Sequence, residues 1–121
     1  YKYGFTFDVL YIDLDDTLII DDAVNLDAIR LIYQCINKDI RVVLLTRHKN
    51  NLTETLNRYH LSTLFDEVIH INDGTSKAKF IRGQNAIFVD DSFRERQEVQ
   101  LNCQIPTFDS SMIEMLFDDR V

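Results

Sequence analysis

The stretch FDVLYIDLDDTLI, residues 7–19, carries the strongest structural signal in the chain. Its first half is an apolar run rich in Val, Leu, Tyr and Ile, which predicts a buried β-strand over residues 7–13. Its second half brings Asp13, Asp15 and Asp16 together with the hydroxyl of Thr17. Because the chain turns where the strand ends, the carboxylates of Asp13 and Asp15 can face one pocket. The stretch therefore predicts an acidic site at the end of a strand.

Outside this stretch, short apolar runs alternate with amphipathic segments of helical spacing. This alternation is typical of parallel strands covered by helices on both faces of the sheet. We predict an α/β fold, a three-layer α/β/α sandwich with a central parallel sheet, and a single domain over residues 1–121. Ser92 and Glu95 predict a capping box at a helix start. The other predicted strands are residues 40–46, 67–71, 86–90 and 103–108, and the helical segments are 25–37, 50–59, 77–82, 92–101 and 110–116.

Polar residues follow three of the predicted strands: Asp13, Thr46 and the pair Asp90 and Asp91. The carboxyl ends of parallel strands meet at one edge of a sheet, where ligands bind, so we expect these residues to lie close together. With Asp15 and Asp16 nearby, the carboxylates would repel one another unless a cation neutralised them. A site rich in hard oxygen ligands suits Mg²⁺.

Composition narrows the classes of partner. The 121 residues carry a formal net charge of -7, and the 13 Lys and Arg residues are scattered, which argues against nucleic acid and an anionic membrane surface as partners. Cys35 and Cys103 stand far apart in apolar segments, which predicts buried thiols and a cytoplasmic protein. The first residue is Tyr1 and not Met, so we expect the chain to be a piece of a longer polypeptide.

Four segments together resemble the motifs of the haloacid dehalogenase (HAD) superfamily. The run DLDDTL, beginning at Asp13, resembles its first motif, and VVLLT, ending in Thr46, resembles the second. Lys77 matches the lysine of the third motif, and Asp90 and Asp91 after AIFV match the fourth. A lone DxD motif also occurs in metal-dependent glycosyltransferases, whereas four motifs in order with the strand pattern are specific.

The resemblance implies an Mg²⁺-dependent phosphatase of phosphorylated small molecules, such as a sugar or metabolite. Asp13 would attack phosphorus to form an aspartyl-phosphate, and Asp15 would serve as general acid and base. Thr46 would donate a hydrogen bond to the phosphoryl oxygens, and Lys77 would balance their charge. The family's metal ligands would correspond to the Asp13 carboxylate, the Asp15 backbone carbonyl and mainly Asp91, with Asp90 beside the ion or reaching it through water.

Several assignments remain open on sequence grounds. Lys79 is the alternative to Lys77, and Asp16, often glycine in the family, would offer its backbone N–H to phosphate. Arg47 and His48 stand at the mouth of the predicted site, where they either contact substrate or belong to a solvated loop. The remaining residues considered are Arg94 and Arg96, predicted as helix-surface charges, Phe80 and Phe93, predicted as core, and His60 and His70, given no role.

The segments between the motifs are too short to hold the cap domain that many HAD enzymes carry, so we predict a capless member with an open site. An open site suits a large substrate, a substrate covered by an oligomer partner, or a neighbouring domain that acts as a lid. The chain also resembles, more weakly, short HAD modules of polysaccharide-biosynthesis genes and those fused to ATP-grasp or carbamoyl-phosphate-synthase-like proteins. The KAKFI and VDDSFRER segments, beginning at Lys77 and Val89, carry this second likeness.

Three other functions remain as alternatives. A response-regulator receiver domain shares the length, the α/β order and an aspartyl-phosphate, although no lysine follows near Phe108 as a receiver requires. A HAD-fold module that binds without catalysing would not need to keep Asp15. A phosphotransferase, with a hydroxyl acceptor in place of water, has the same sequence pattern as a phosphatase.

Overall fold

The computed structural model describes residues 6–83 and 85–117 of the chain. The strands are β1 (Val9–Ile12), β2 (Ile19–Ile20), β3 (Ala23–Val24), β4 (Arg41–Thr46), β5 (Glu67–His70), β6 (Ala86–Val89) and β7 (Thr107–Phe108). The helices are α1 (Leu26–Asn37), α2 (Leu52–Arg58) and α3 (Phe93–Cys103), with 3-10 helices at Lys77–Phe80 and Ser110–Leu116. Every strand and helix predicted from the sequence is present, and the boundaries differ by a few residues.

Five strands form one parallel sheet in the order β5-β4-β1-β6-β7. In β1, Leu10 lies beside Val42 on one side and Ile87 on the other. Numbered along the chain, the sheet strands have the order 3-2-1-4-5, which reverses at β1 and opens a crevice at its carboxyl end. Receiver domains have the order 2-1-3-4-5. The receiver alternative is therefore wrong.

Side chains on the two faces of the sheet belong to two separate cores, because neighbours along a strand point to opposite faces. Leu10 and Ile12 of β1 pack with α1, α2 and the 3-10 helix Ser110–Leu116. Tyr11 and Phe88 face the other way and pack with α3 and the 3-10 helix Lys77–Phe80. The predicted three-layer α/β/α architecture is thus confirmed. Burial on both faces explains why the strands are continuous apolar runs.

Each α-helix starts at a polar cap whose side chain accepts a backbone N–H of the first turn: Asn25, Asn51 and Ser92. At α3 the Ser92 hydroxyl accepts from the Glu95 N–H at 3.3 Å, as predicted. The reciprocal half of the capping box is wrong, since the Ser92 N–H donates to Asp90 and the Glu95 carboxylate bonds Arg47. An ion pair across the site competes successfully for that carboxylate.

A short hairpin of β2 and β3 is the only insertion between the first acidic turn and α1. Within residues 6–83 and 85–117 the structure contains no cap domain. Asp21 and Asp22 form the tip of the hairpin with φ of 51° and 61°, a left-handed conformation that Asp adopts more readily than most residues. The hairpin leaves the carboxyl edge of the sheet open.

Two predictions about side-chain burial have different outcomes. Cys35 is fully buried, and burial raises the pKa of its thiol to about 12, whereas Cys103 is partly buried. Phe80 packs against the second core, but Phe93 is 69% exposed, so its assignment to the core is wrong. It is the first residue of α3 and points away from the sheet. Over the described part of the chain, no helix has the length and apolar character that crossing a membrane requires.

Candidate active site

Asp13 lies one residue beyond β1, at the centre of the sheet's carboxyl edge. Its backbone N–H donates to the Val89 carbonyl at 3.0 Å, so the ladder between β1 and β6 holds the residue in place. The side chain reaches an open cavity of about 620 Å³ at this edge. The cavity contains most of the predicted site; its lining residues include Asp13, Asp15, Asp16, Lys77, Asp90 and Asp91.

Lys77 crosses the cavity floor to bind two carboxylates. It begins the 3-10 helix capped by Ser76, and its Nζ lies 2.9 Å from Asp13 Oδ1 and 2.7 Å from Asp90 Oδ2. Burial alone would lower the pKa of this ammonium, but Asp13 and Asp90 outweigh that effect and raise it, so Lys77 stays protonated. Lys79, the alternative, is exposed on the same short helix. The structure therefore brings Lys77 to the acidic residues and leaves Lys79 outside.

Asp90 and Asp91 complete a cluster with Asp13, in which one carboxylate oxygen from each lies within 4.8 Å of the others. The Asp90 Oδ1 accepts the Ser92 N–H at 2.9 Å, so the start of α3 orients it. Thr17, fully buried, accepts the Asp91 N–H at 3.1 Å and lies 3.5 Å from Asp91 Oδ1. The Thr17 hydroxyl thus supports Asp91, a role that no sequence pattern indicated.

The cluster carries more negative charge than Lys77 can balance. Burial and the neighbouring Asp90 raise the pKa of Asp13 to about 7, against the opposing effect of Lys77. Burial, Asp90 and Asp16 likewise raise the pKa of Asp91. A divalent cation would relieve this repulsion, and carboxylate oxygens are the ligands that Mg²⁺ prefers. The residues present therefore fit Mg²⁺: Asp91 offers the partly exposed carboxylate, and Asp13 and Asp90 are buried beside it and both bonded to Lys77.

Asp15 extends from the acidic turn, and its side chain is 53% exposed. His48 Nδ1 lies 3.0 Å from both of its carboxylate oxygens. From the sequence, His48 was expected either to contact substrate or to belong to a solvated loop, and the structure instead places its imidazole against Asp15. No sequence signal linked the two residues, because 33 positions separate them.

Thr46 ends β4 and is completely buried. Its Oγ1 accepts the His48 N–H at 3.0 Å, a bond that does not use the hydroxyl proton, and Thr46 is not among the described residues that line the cavity. Asp16 has φ of 60°, and its N–H donates to the Ile19 carbonyl at 2.8 Å. The suggestion that the Asp16 N–H is offered to phosphate is therefore wrong, because the turn itself uses that donor.

Two arginines also differ from expectation. Arg47 Nε donates to Glu95 Oε2 at 2.7 Å, and Glu95 approaches Lys77 Nζ at 4.0 Å, so an ion-pair network extends along one side of the cavity. Arg96, predicted as a surface charge, donates to the Asp90 carbonyl at 2.8 Å and to Asp109 at 3.2 Å. Arg96 therefore ties α3 to the strand end that carries Asp90. Arg94 remains exposed on α3, as predicted.

A scan against protein-family models and a search of curated proteins both returned no match. Solved structures do share the fold. An uncharacterized protein from Corynebacterium glutamicum matches with a TM-score of 0.62 and 14% identity, over 84% of this chain and 82% of that one. The core domain of a provisionally named phosphoglycolate phosphatase from Streptococcus pneumoniae matches with a TM-score of 0.61 and 17% identity, over 88% and 80%.

A HAD-superfamily hydrolase from Ehrlichia chaffeensis matches with a TM-score of 0.55 and 17% identity, over 86% of this chain and 64% of that one. The sheet order, the layers and these neighbours define the class: an α/β protein with a HAD-like fold. At these identities the likeness is one of fold. The activity has to be inferred from the side chains at the carboxyl edge of the sheet.

Proposed function

We propose that this chain is an Mg²⁺-dependent phosphoric monoester hydrolase that works through an aspartyl-phosphate on Asp13. One observation carries the proposal: Lys77 joins Asp13 to Asp90 at the floor of an open cavity, with Asp91 beside them. The single ammonium of Lys77 does not neutralise the three carboxylates, so the site can also bind a cation. The ammonium and that cation together can then bind a phosphoryl group. HAD-like neighbours support a hydrolase of this type at the level of fold.

In the proposed reaction the Asp13 carboxylate attacks phosphorus, and the bond from phosphorus to the leaving oxygen breaks. Asp15 gives that oxygen a proton, then accepts a proton from the water that hydrolyses the aspartyl-phosphate. Lys77 offsets negative charge on the nucleophile and on the phosphoryl oxygens, and the Thr46 hydroxyl would donate a hydrogen bond to one of them. Bound Mg²⁺ would supply further neutralisation of the phosphoryl charge.

The open cavity suggests the kind of substrate. Because no cap covers it within the described residues, a phosphorylated sugar or metabolite can enter with much of its structure outside the cavity. A larger substrate, a second copy of the chain or a neighbouring domain would complete the enclosure. We expect slow turnover of small generic esters, since water is poorly excluded.

Phosphate release from a panel of phosphate esters tests the proposal directly. The parent chain should release phosphate with Mg²⁺ and not with EDTA, and Asp13→Asn and Asp15→Asn should both lose this activity. Adding glycerol as an acceptor distinguishes a hydrolase from a phosphotransferase. If Mg²⁺ binds but the parent releases no more phosphate than Asp13→Asn, the chain is a non-catalytic binding module and the proposal fails.

Mg²⁺ should stabilise the chain through Asp91. Binding to the native state alone raises the free energy of unfolding by about 2.7 kcal/mol at 100 times the dissociation constant, which corresponds to a midpoint shift of several degrees. Asp91→Asn should remove most of the shift measured with and without Mg²⁺. Asp39→Asn is the matched control because Asp39 is exposed, precedes β4 and has φ of 59°, which Asn tolerates. An equal shift in both variants would place the cation elsewhere.

A further inference from the structure

The backbone and ring of His48 are held at three points. Its N–H donates to Thr46 Oγ1 at 3.0 Å, and its carbonyl accepts from His70 Nε2 at 2.7 Å. Its own Nε2 lies 2.9 Å from Thr55 Oγ1, on the first turns of α2. The His48 side chain is only 9% exposed. These contacts with β4, β5 and α2 make the imidazole a rigid part of the scaffold, although it lies in a connecting segment.

The remaining ring nitrogen is directed at Asp15. His48 Nδ1 lies 3.0 Å from both Oδ1 and Oδ2, whereas the Asp15 side chain is 53% exposed. An ionised carboxylate can only accept, and a protonated one keeps an oxygen that accepts, so Nδ1 carries the hydrogen and can donate it to Asp15 in both states. Thr55 Oγ1 lies 2.9 Å from His48 Nε2 and 3.2 Å from the Asn51 carbonyl oxygen, so its single hydroxyl proton is donated to one of these two acceptors at a time. The buried Nδ1–H of His48 thus holds the exposed carboxylate of Asp15, which would otherwise sample several rotamers.

We propose that His48 is the positioning residue for Asp15, holding its carboxyl group where it can protonate the leaving oxygen. This inference rests on the proposed phosphatase function. The proton still moves from Asp15 to the leaving oxygen, and His48 neither gains nor loses one. A misplacement of about 1 Å in a reacting group can cost on the order of 10²-fold in rate, so loss of the donor should affect the step in which Asp15 acts.

Leaving-group dependence distinguishes positioning from general structural support. An alkyl phosphate needs its leaving oxygen protonated, whereas a nitrophenyl phosphate has a leaving group that departs without help. Because kcat/KM reports the first irreversible step, the transfer of phosphoryl to Asp13, it should respond to Asp15 placement only for the alkyl ester. Loss of general structural support would lower kcat/KM for both esters together.

Two amide substitutions of His48 distinguish the role of Nδ1 from the role of Nε2. His48→Asn can place its amide N–H near the position of Nδ1, and His48→Gln reaches the position of Nε2 instead. We expect His48→Gln and His48→Leu to lose on the order of 10²-fold in alkyl-ester kcat/KM, but only a few-fold for the nitrophenyl ester. His48→Asn should recover most of the alkyl-ester activity. The exposed His60 has φ of 59°, so His60→Asn is a control expected to match the parent.

Unfolding midpoints of all the variants are measured alongside, and rates are compared only at temperatures where each remains folded. If the parent is active but His48→Leu loses the same factor on both esters, the positioning role is wrong while the phosphatase function stands. Equal activity of His48→Asn and His48→Gln would also overturn it. An inactive parent overturns the proposed function and the inference with it.

Discussion

Asp13→Asn is expected to be inactive and, without Mg²⁺, more stable than the parent at neutral pH. The activity loss should be on the order of 10³-fold or more, since the nucleophile is removed. The stability gain follows from burial, which, with Asp90 nearby, raises the pKa of Asp13 from 3.8 to about 7. Ionising this carboxyl at neutral pH costs free energy that Asn does not incur. Its amide oxygen can still accept from Lys77, which also keeps Asp90 as a partner.

The sign of the pH dependence can be checked directly. Below about pH 4 the Asp13 carboxyl is protonated in both folded and unfolded chains, so parent and variant should be similar. Between about pH 4 and 7 the native state holds a proton that the unfolded state has released, so the parent's stability falls as pH rises. The difference in free energy of unfolding should therefore grow to about 4 kcal/mol by pH 8.

Urea unfolding of metal-free protein at pH 4, 6 and 8 measures this difference, with Asp39→Asn as the control for charge removal away from the site. Saturating Mg²⁺ should stabilise the parent more than Asp13→Asn and so reduce the difference. An Asp13→Asn variant less stable than the parent at pH 8 would show that the Lys77 pair dominates burial, contrary to the expected sign.

Lys77→Met is expected to cost both stability and activity. Removing one partner of a buried ion pair leaves uncompensated charge, and here Asp13 and Asp90 both lose the ammonium that joins them. A loss of about 3 kcal/mol follows from comparable buried pairs. Phosphate release should fall by on the order of 10²-fold or more, because a donor aimed at the phosphoryl charge is removed.

Lys79→Met is the matched control, with the same substitution two residues along the same 3-10 helix. Lys79 is exposed, so its loss should change the free energy of unfolding by less than about 0.5 kcal/mol. Activity is compared at a temperature where both variants are folded by circular dichroism. If Lys79→Met abolishes activity and Lys77→Met does not, the assignment of the motif lysine is reversed.

Much of the site follows from local sequence. An apolar run ending in Asp13 predicts a strand with a polar residue at its end, and the same pattern recurs at Thr46 and at Asp90. Strand ends of a parallel sheet share one edge, so proximity of these residues was predictable without a structure. Lys77 is also favoured over Lys79 by local sequence, because the first residue of a helical turn points back toward the strand ends. The structure places Lys77 there.

Other parts of the site depend on contacts between distant segments. Glu95 has the sequence position of a capping-box residue, but Arg47, 48 positions away, takes its carboxylate. Phe93 has the composition of a core residue, yet it lies on the outward side of α3. Local pattern reports the preference of a segment and carries no information about a competing partner that folding brings near.

The sequence by itself determined the α/β class, the central parallel sheet and the acidic carboxyl edge. Strands buried on both faces appear as continuous apolar runs, and polar residues directly after these runs mark the strand ends. Only the tertiary structure decided which side chains form hydrogen bonds and ion pairs with the acidic residues of the site and around them. The contact of His48 with Asp15, the support of Asp91 by Thr17 and the ion pair of Arg47 with Glu95 each join distant positions. Such pairs form only where folded strands and helices bring both groups to hydrogen-bonding distance. A periodic pattern in the sequence does not predict these contacts.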